Sequence, residues 1–134
     1  MPKIVKSIYT GASVTSLGEL TPTDTIDGVL APTVTTLTDA STIAVDMSTS
    51  CNFSVTLGGN RTLGNPTNAV AGQSGSIFVV QDGTGSRTLA YSSNWKFPGG
   101  TAPTLSTAAN AVDRIDYIVR SSSLIQAVFT GNYS

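Results

Sequence analysis

Between residues 42 and 57 the apolar side chains fall at every second position: Ile43, Val45 and Met47, then Phe53, Val55 and Leu57. Successive side chains of an extended strand point to opposite faces, so this period describes strands with one buried face and one wet one. A helix needs apolar residues at i, i+3, i+4 and i+7, and no long stretch has that spacing. The abundant residues are Thr, Val, Ile, Ser and Gly, which suit strands and the turns between them.

Further strands follow the same logic. The run Ile77-Phe78-Val79-Val80 reads as a strand buried on both faces. Leu89 and Tyr91 mark another. Val112, Ile115, Tyr117 and Val119 define one whose phase shifts near Arg114, as a bulge would produce. A last strand runs over residues 124–130. Gly58-Gly59-Asn60, Asp82-Gly83-Thr84-Gly85 and Ser121-Ser122-Ser123 supply turns, with Asp82 placed to cap its own. About six to eight short strands with turns roughly every ten residues predict an all-β fold, an antiparallel β-sandwich or jelly-roll-like barrel. Gly59-Asn60-Arg61-Thr62-Leu63 echoes Gly85-Ser86-Arg87-Thr88-Leu89, as two equivalent hairpins would.

The chain divides into an extended N-terminal arm, residues 1–36, and a β-sandwich module, residues 37–134. The arm is rich in Thr, Ser, Gly and Pro, and Pro22 and Pro32 exclude a central strand there. Its sparse apolar residues Ile4, Val5, Ile8, Tyr9, Leu17 and Leu20 are candidate contacts with a partner. In the module, Trp95 and Phe97 sit in a turn-rich segment ending Pro98-Gly99-Gly100. Aromatics held on a rigid loop make good anchors and stack on sugars, so both are candidate binding residues. The alternative is that they plug one end of the sandwich or a subunit seam.

Composition narrows the function. Only 11% of residues are charged, against about 25% in an average globular domain. Ser and Thr, 37 in all, make the surface polar through hydroxyls instead. The net charge is −1 with no basic cluster, which argues against nucleic acid and against anionic membranes as partners. There is no histidine, hence no Ser-His-Asp or Cys-His centre and no His-based metal site. Cys51 is the only cysteine and is expected to be a buried or half-buried thiol. Asp113 and Asp116, three apart in a strand, face opposite ways and cannot act as a glycosidase pair. Met1-Pro2-Lys3-Ile4-Val5-Lys6 lacks the apolar core of a secretion signal. The expectation is a non-enzymatic structural protein with no catalytic residues, cofactor or metal.

Several stretches resemble a module of tailed-bacteriophage structural proteins. They are Phe53-Ser54-Val55-Thr56-Leu57-Gly58-Gly59-Asn60-Arg61-Thr62-Leu63, Asn65-Pro66-Thr67-Asn68-Ala69, Ala71-Gly72-Gln73-Ser74-Gly75 and Thr84-Gly85-Ser86-Arg87-Thr88-Leu89. The pattern continues in Trp95-Lys96-Phe97-Pro98-Gly99-Gly100-Thr101-Ala102-Pro103 and Leu105-Ser106-Thr107-Ala108-Ala109-Asn110-Ala111-Val112-Asp113. The resemblance covers roughly two-thirds of the chain, from about Ile43 to Phe129. It implies location in the virion, assembly as an oligomer, often a trimer, and other virion proteins as partners. The first expectation is a capsid decoration or cement protein that binds the major capsid protein. The alternative is a tail-fibre or baseplate-associated receptor-binding protein, with a host glycan as its ligand.

Overall fold

The computed structural model describes residues 31–133, and these form two β-sheets around one core. The strands are β1 (Val34–Thr36), β2 (Thr42–Ile43), β3 (Asn52–Leu57), β4 (Arg61–Leu63), β5 (Ser74–Gln81), β6 (Leu89–Tyr91), β7 (Trp95–Lys96), β8 (Val112–Ser121) and β9 (Leu124–Tyr133). The first sheet has six strands in the order β1-β3-β5-β8-β9-β7, and the second has three in the order β2-β4-β6. The all-β, two-sheet expectation therefore holds.

The direction of pairing differs from the expected antiparallel one. β1, β3 and β5 run parallel, as do β2, β4 and β6. From β1 to β6 the chain alternates between sheets, laying one strand on each before returning beside its predecessor. This path is a short two-sided coil, and a coil stacks its strands parallel. Only β5, β8 and β9 pair antiparallel, and β7 joins β9 in parallel. Gly58-Gly59-Asn60 is thus a corner that carries the chain from one sheet to the other. The echoed segments lie at the same corner of successive coils. Each arginine there holds an aspartate, Arg61 with Asp39 at 2.6 Å and Arg87 with Asp82 at 2.7 Å. The corners also stack, since Asn60 Oδ1 accepts the Thr88 N–H at 3.0 Å.

The alternating residues fill the core. Ile43, Val45, Met47, Phe53, Val55 and Leu57 are all buried, joined by Leu63, Ile77, Val79, Ile115, Val119 and Ile125. Burying each such side chain contributes roughly 1.5–3 kcal/mol. β5 is buried on its inner face only, because Phe78 and Val80 remain half-buried on the outer one. Residues 34–36, counted with the arm by composition, are strand β1 and belong to the first sheet. The remaining arm candidates, Ile4, Val5, Ile8, Tyr9, Leu17 and Leu20, lie outside the described residues. Cys51 is half-buried.

Buried polar groups close the joints between coils. Gln81 extends the pairing beyond β5: its amide nitrogen donates to the Arg87 carbonyl at 2.9 Å, and its oxygen accepts the Arg87 N–H at 2.8 Å. Asp82 caps its turn as expected, accepting the N–H groups of Thr84 and Gly85 at 3.0 and 2.9 Å. Gly85 takes φ 76°, and a Cβ there would stand 2.5 Å from the Thr107 carbonyl oxygen, so conformation and space both require glycine. The phase shift expected in this strand near Arg114 does not occur; the bulge there is in the partner strand of the β8–β9 ladder, with Val112 opposite Tyr133 and Arg114 opposite Thr130. The extra residue belongs to β9. β8 itself alternates without a break, and Asp113 takes the inward position that an apolar residue would otherwise fill. The Asp113 carboxylate accepts N–H groups from Ser106 and Asn132, both at 2.8 Å, tying the preceding loop and the bulge to β8.

Candidate binding groove

At the β7 edge the first sheet carries a groove of about 420 Å³. One wall is Lys96, Phe97 and Pro98, and the floor includes Asp116, Ile118, Gln126 and Val128. Strand alternation decides which side chains reach it. β7 is parallel to β9, with Trp95 opposite Ile125 and Lys96 opposite Gln126. Trp95 turns inward with Ile125, and Lys96 turns outward with Gln126.

The inward turn corrects one expectation. Trp95 is 5% exposed and belongs to the core rather than to a binding surface. Its indole N–H donates to the Gly64 carbonyl at 2.9 Å, and its ring meets Tyr117 edge-on at 6.1 Å between centroids. It fits the alternative reading of an aromatic plug. Phe97 serves both sides: it packs edge-on against Tyr91 at 4.7 Å and contributes to the groove wall.

The outer face follows a register. Lys96 on β7, Gln126 on β9, Ile118 on β8 and Ser74 on β5 form one cross-strand row. Val128, Asp116 and Ser76 form the next. Ile118 and Val128 are 49% and 50% exposed, which leaves an aliphatic floor open to solvent. Asp116 is already engaged, by the Ser76 hydroxyl at 2.6 Å and by Arg114 at 2.9 Å. Arg114 in turn lies over the Tyr133 ring, 5.2 Å from its centroid. Lys96 and Gln126 make no side-chain hydrogen bond or ion pair among the described residues.

The sequence marks out the aromatics of this segment as candidate binding residues but not Lys96, Ile118, Gln126 or Val128. The signal was present in β9, where Ile125 and Ala127 alternate with Gln126 and Val128. The outward set became a site only once β7 was known to lie beside it.

The remaining acids have structural partners. The Arg61 side chain holds the Asp39 carboxyl below its ordinary range, and the Asn68 and Ser48 side chains do the same for Asp46. Arg87 and the Gly85 and Thr84 N–H groups lower Asp82 to about 2. Tyr117 is pushed well above the ordinary phenol range by burial, and its hydroxyl donates to the Cys51 carbonyl at 2.6 Å.

Comparison with known proteins gives one family. A search of curated proteins and a search of solved structures each found no match. The family model described as "Putative phage tail fibre C-terminal domain" matches residues 43–123. That span begins in β2, includes every strand through β8 and ends in the turn before β9, so it takes in most of the coil and the groove's Lys96, Phe97 and Ile118. More than half of the sequence is matched, and the chain is a structural component of a phage virion that belongs to the phage tail fibre C-terminal domain family.

Proposed function

We propose that this chain is a non-catalytic adhesion module of a phage tail fibre, acting as a homotrimer and meeting a host-surface glycan through the groove at β7. The family match carries the tail-fibre part of this reading, because it is to a phage tail fibre domain and spans residues 43–123. Capsid decoration, the first expectation from sequence, draws no support from that match, which names a fibre domain. The other virion proteins it contacts are then those of the tail.

The chemistry of the acids supports a role without catalysis. Each of the five aspartates among the described residues is committed to a turn, an ion pair or a backbone N–H. A general acid or base needs a carboxyl free to reach its substrate. The groove supports adhesion, since it combines aliphatic and aromatic surface with a few polar groups.

Monovalent antibody fragments raised against the chain test the reading. They are expected to slow adsorption of the phage to its host at least about tenfold while leaving heads intact. Fragments that leave adsorption unchanged but destabilise heads would return the protein to the capsid.

A further inference from the structure

We infer that the groove takes an acidic saccharide, with Lys96 as the carboxylate-binding residue, Gln126 as the hydroxyl-binding residue, and Ile118, Val128 and Phe97 as the apolar surface beneath the ring. This rests on the adhesion reading above and names the ligand class and the residues of that site.

The register sets the order of the groups. Lys96, Gln126 and Ile118 stand side by side on three neighbouring strands, at steps of about 4.8 Å. A sugar chain laid across these strands meets a cation, then an amide, then an aliphatic surface. Charge complementarity selects an acidic chain. Asp116 is the carboxylate among the groove's lining residues, and Arg114 and Ser76 already hold it. The ammonium of Lys96 is left without an acid among the described residues, so the groove presents uncompensated positive charge at its β7 end. The Gln126 amide offers two donors and one acceptor. Vicinal sugar hydroxyls pair with such a group, and nothing within the described residues competes for it. Ile118, Val128 and Phe97 supply the apolar contact that a pyranose ring makes through its C–H face.

A lysine on an edge strand also guards against unwanted strand pairing. That role needs neither an adjacent unpaired amide nor an exposed aliphatic floor, and it leads to a different experimental result. The full chain is applied to an array of uronate- and sialate-bearing oligosaccharides, each beside its neutral counterpart, with poly-glutamate as an acidic peptide. Backbone amide shifts are then followed by NMR for the sugars that bind. The inference predicts binding of acidic over neutral sugars, shifts centred on residues 96, 118 and 126, and weakening by added salt. Lys96→Gln is expected to reduce affinity about tenfold, the worth of one charged hydrogen bond. Absence of saccharide binding, equal binding of neutral counterparts, preference for poly-glutamate, or an unchanged Lys96→Gln variant would each overturn it. Competition with phage adsorption separates this inference from the broader reading. Free chain and Lys96→Gln competing equally would sink the acidic-saccharide site and keep adhesion, whereas no competition by either would count against adhesion itself.

Discussion

Tyr91 has a buried hydroxyl with no hydrogen-bond partner among the described residues. Burial, with a smaller contribution from the Asp113 charge, pushes its ionisation well above the ordinary phenol range. A buried hydroxyl without a partner keeps its desolvation cost, on the order of 1–3 kcal/mol. Tyr91→Phe is therefore expected to leave stability unchanged or raise it by about 1 kcal/mol, measured by urea denaturation. A clear loss would show that the hydroxyl has a partner in solution. Asp82 gives the opposite kind of prediction. Its carboxyl ionises at about 2 rather than 3.8 in the folded chain, chiefly through Arg87 and then through the Gly85 and Thr84 N–H groups. A folded-state value below the unfolded one stabilises the fold above the unfolded value, and that contribution is lost as pH falls through the folded value. The window is thus roughly pH 4 down to pH 2. Asp82→Asn is expected to flatten the dependence of melting temperature on pH across that window. An unchanged acid profile would remove Asp82 from the account.

The elements show what a linear pattern can and cannot report. Phe53, Val55 and Leu57 told which face of β3 is buried, and the fold agrees. Alternation carries no information about the direction of the neighbouring strand, so parallel and antiparallel pairing looked alike. The glycines after Leu57 fit a reversal equally well as a corner between sheets. Val112 and Ile115 cannot share a face in a regular strand, and in β8 they do not, since Asp113 takes the inward place and Val112 faces outward. The extra residue lies in β9 instead, and nothing in the sequence marks it or the inward Asp113. Sequence alone leaves Trp95 between an anchor and a plug, and the pairing of a two-residue strand with β9 decides for the plug. Pairing on both sides also orders local stability. β3 and β5 lie between partners, while β1 and β7 are edges. Amide hydrogen exchange should be slower in β3 and β5 than in β1 and β7 by about a hundredfold or more. Comparable rates would mean that the coil is not the stable unit.

At the largest scale, hydroxyl-rich outer faces and sparse charge cover one apolar core among the described residues. A chain of this size buries about two-thirds of its unfolded surface, which lets apolar packing hold such a scaffold together. What it presents outward is a groove at one edge of the larger sheet, and residues 43–123 match the phage tail fibre C-terminal domain family. The place of the protein in the particle is the most direct test. Gold-labelled antibodies against the chain, imaged by electron microscopy on intact phage, are expected to decorate the tail fibres and leave the head bare. Label distributed over the capsid surface, with none on the fibres, would contradict the account.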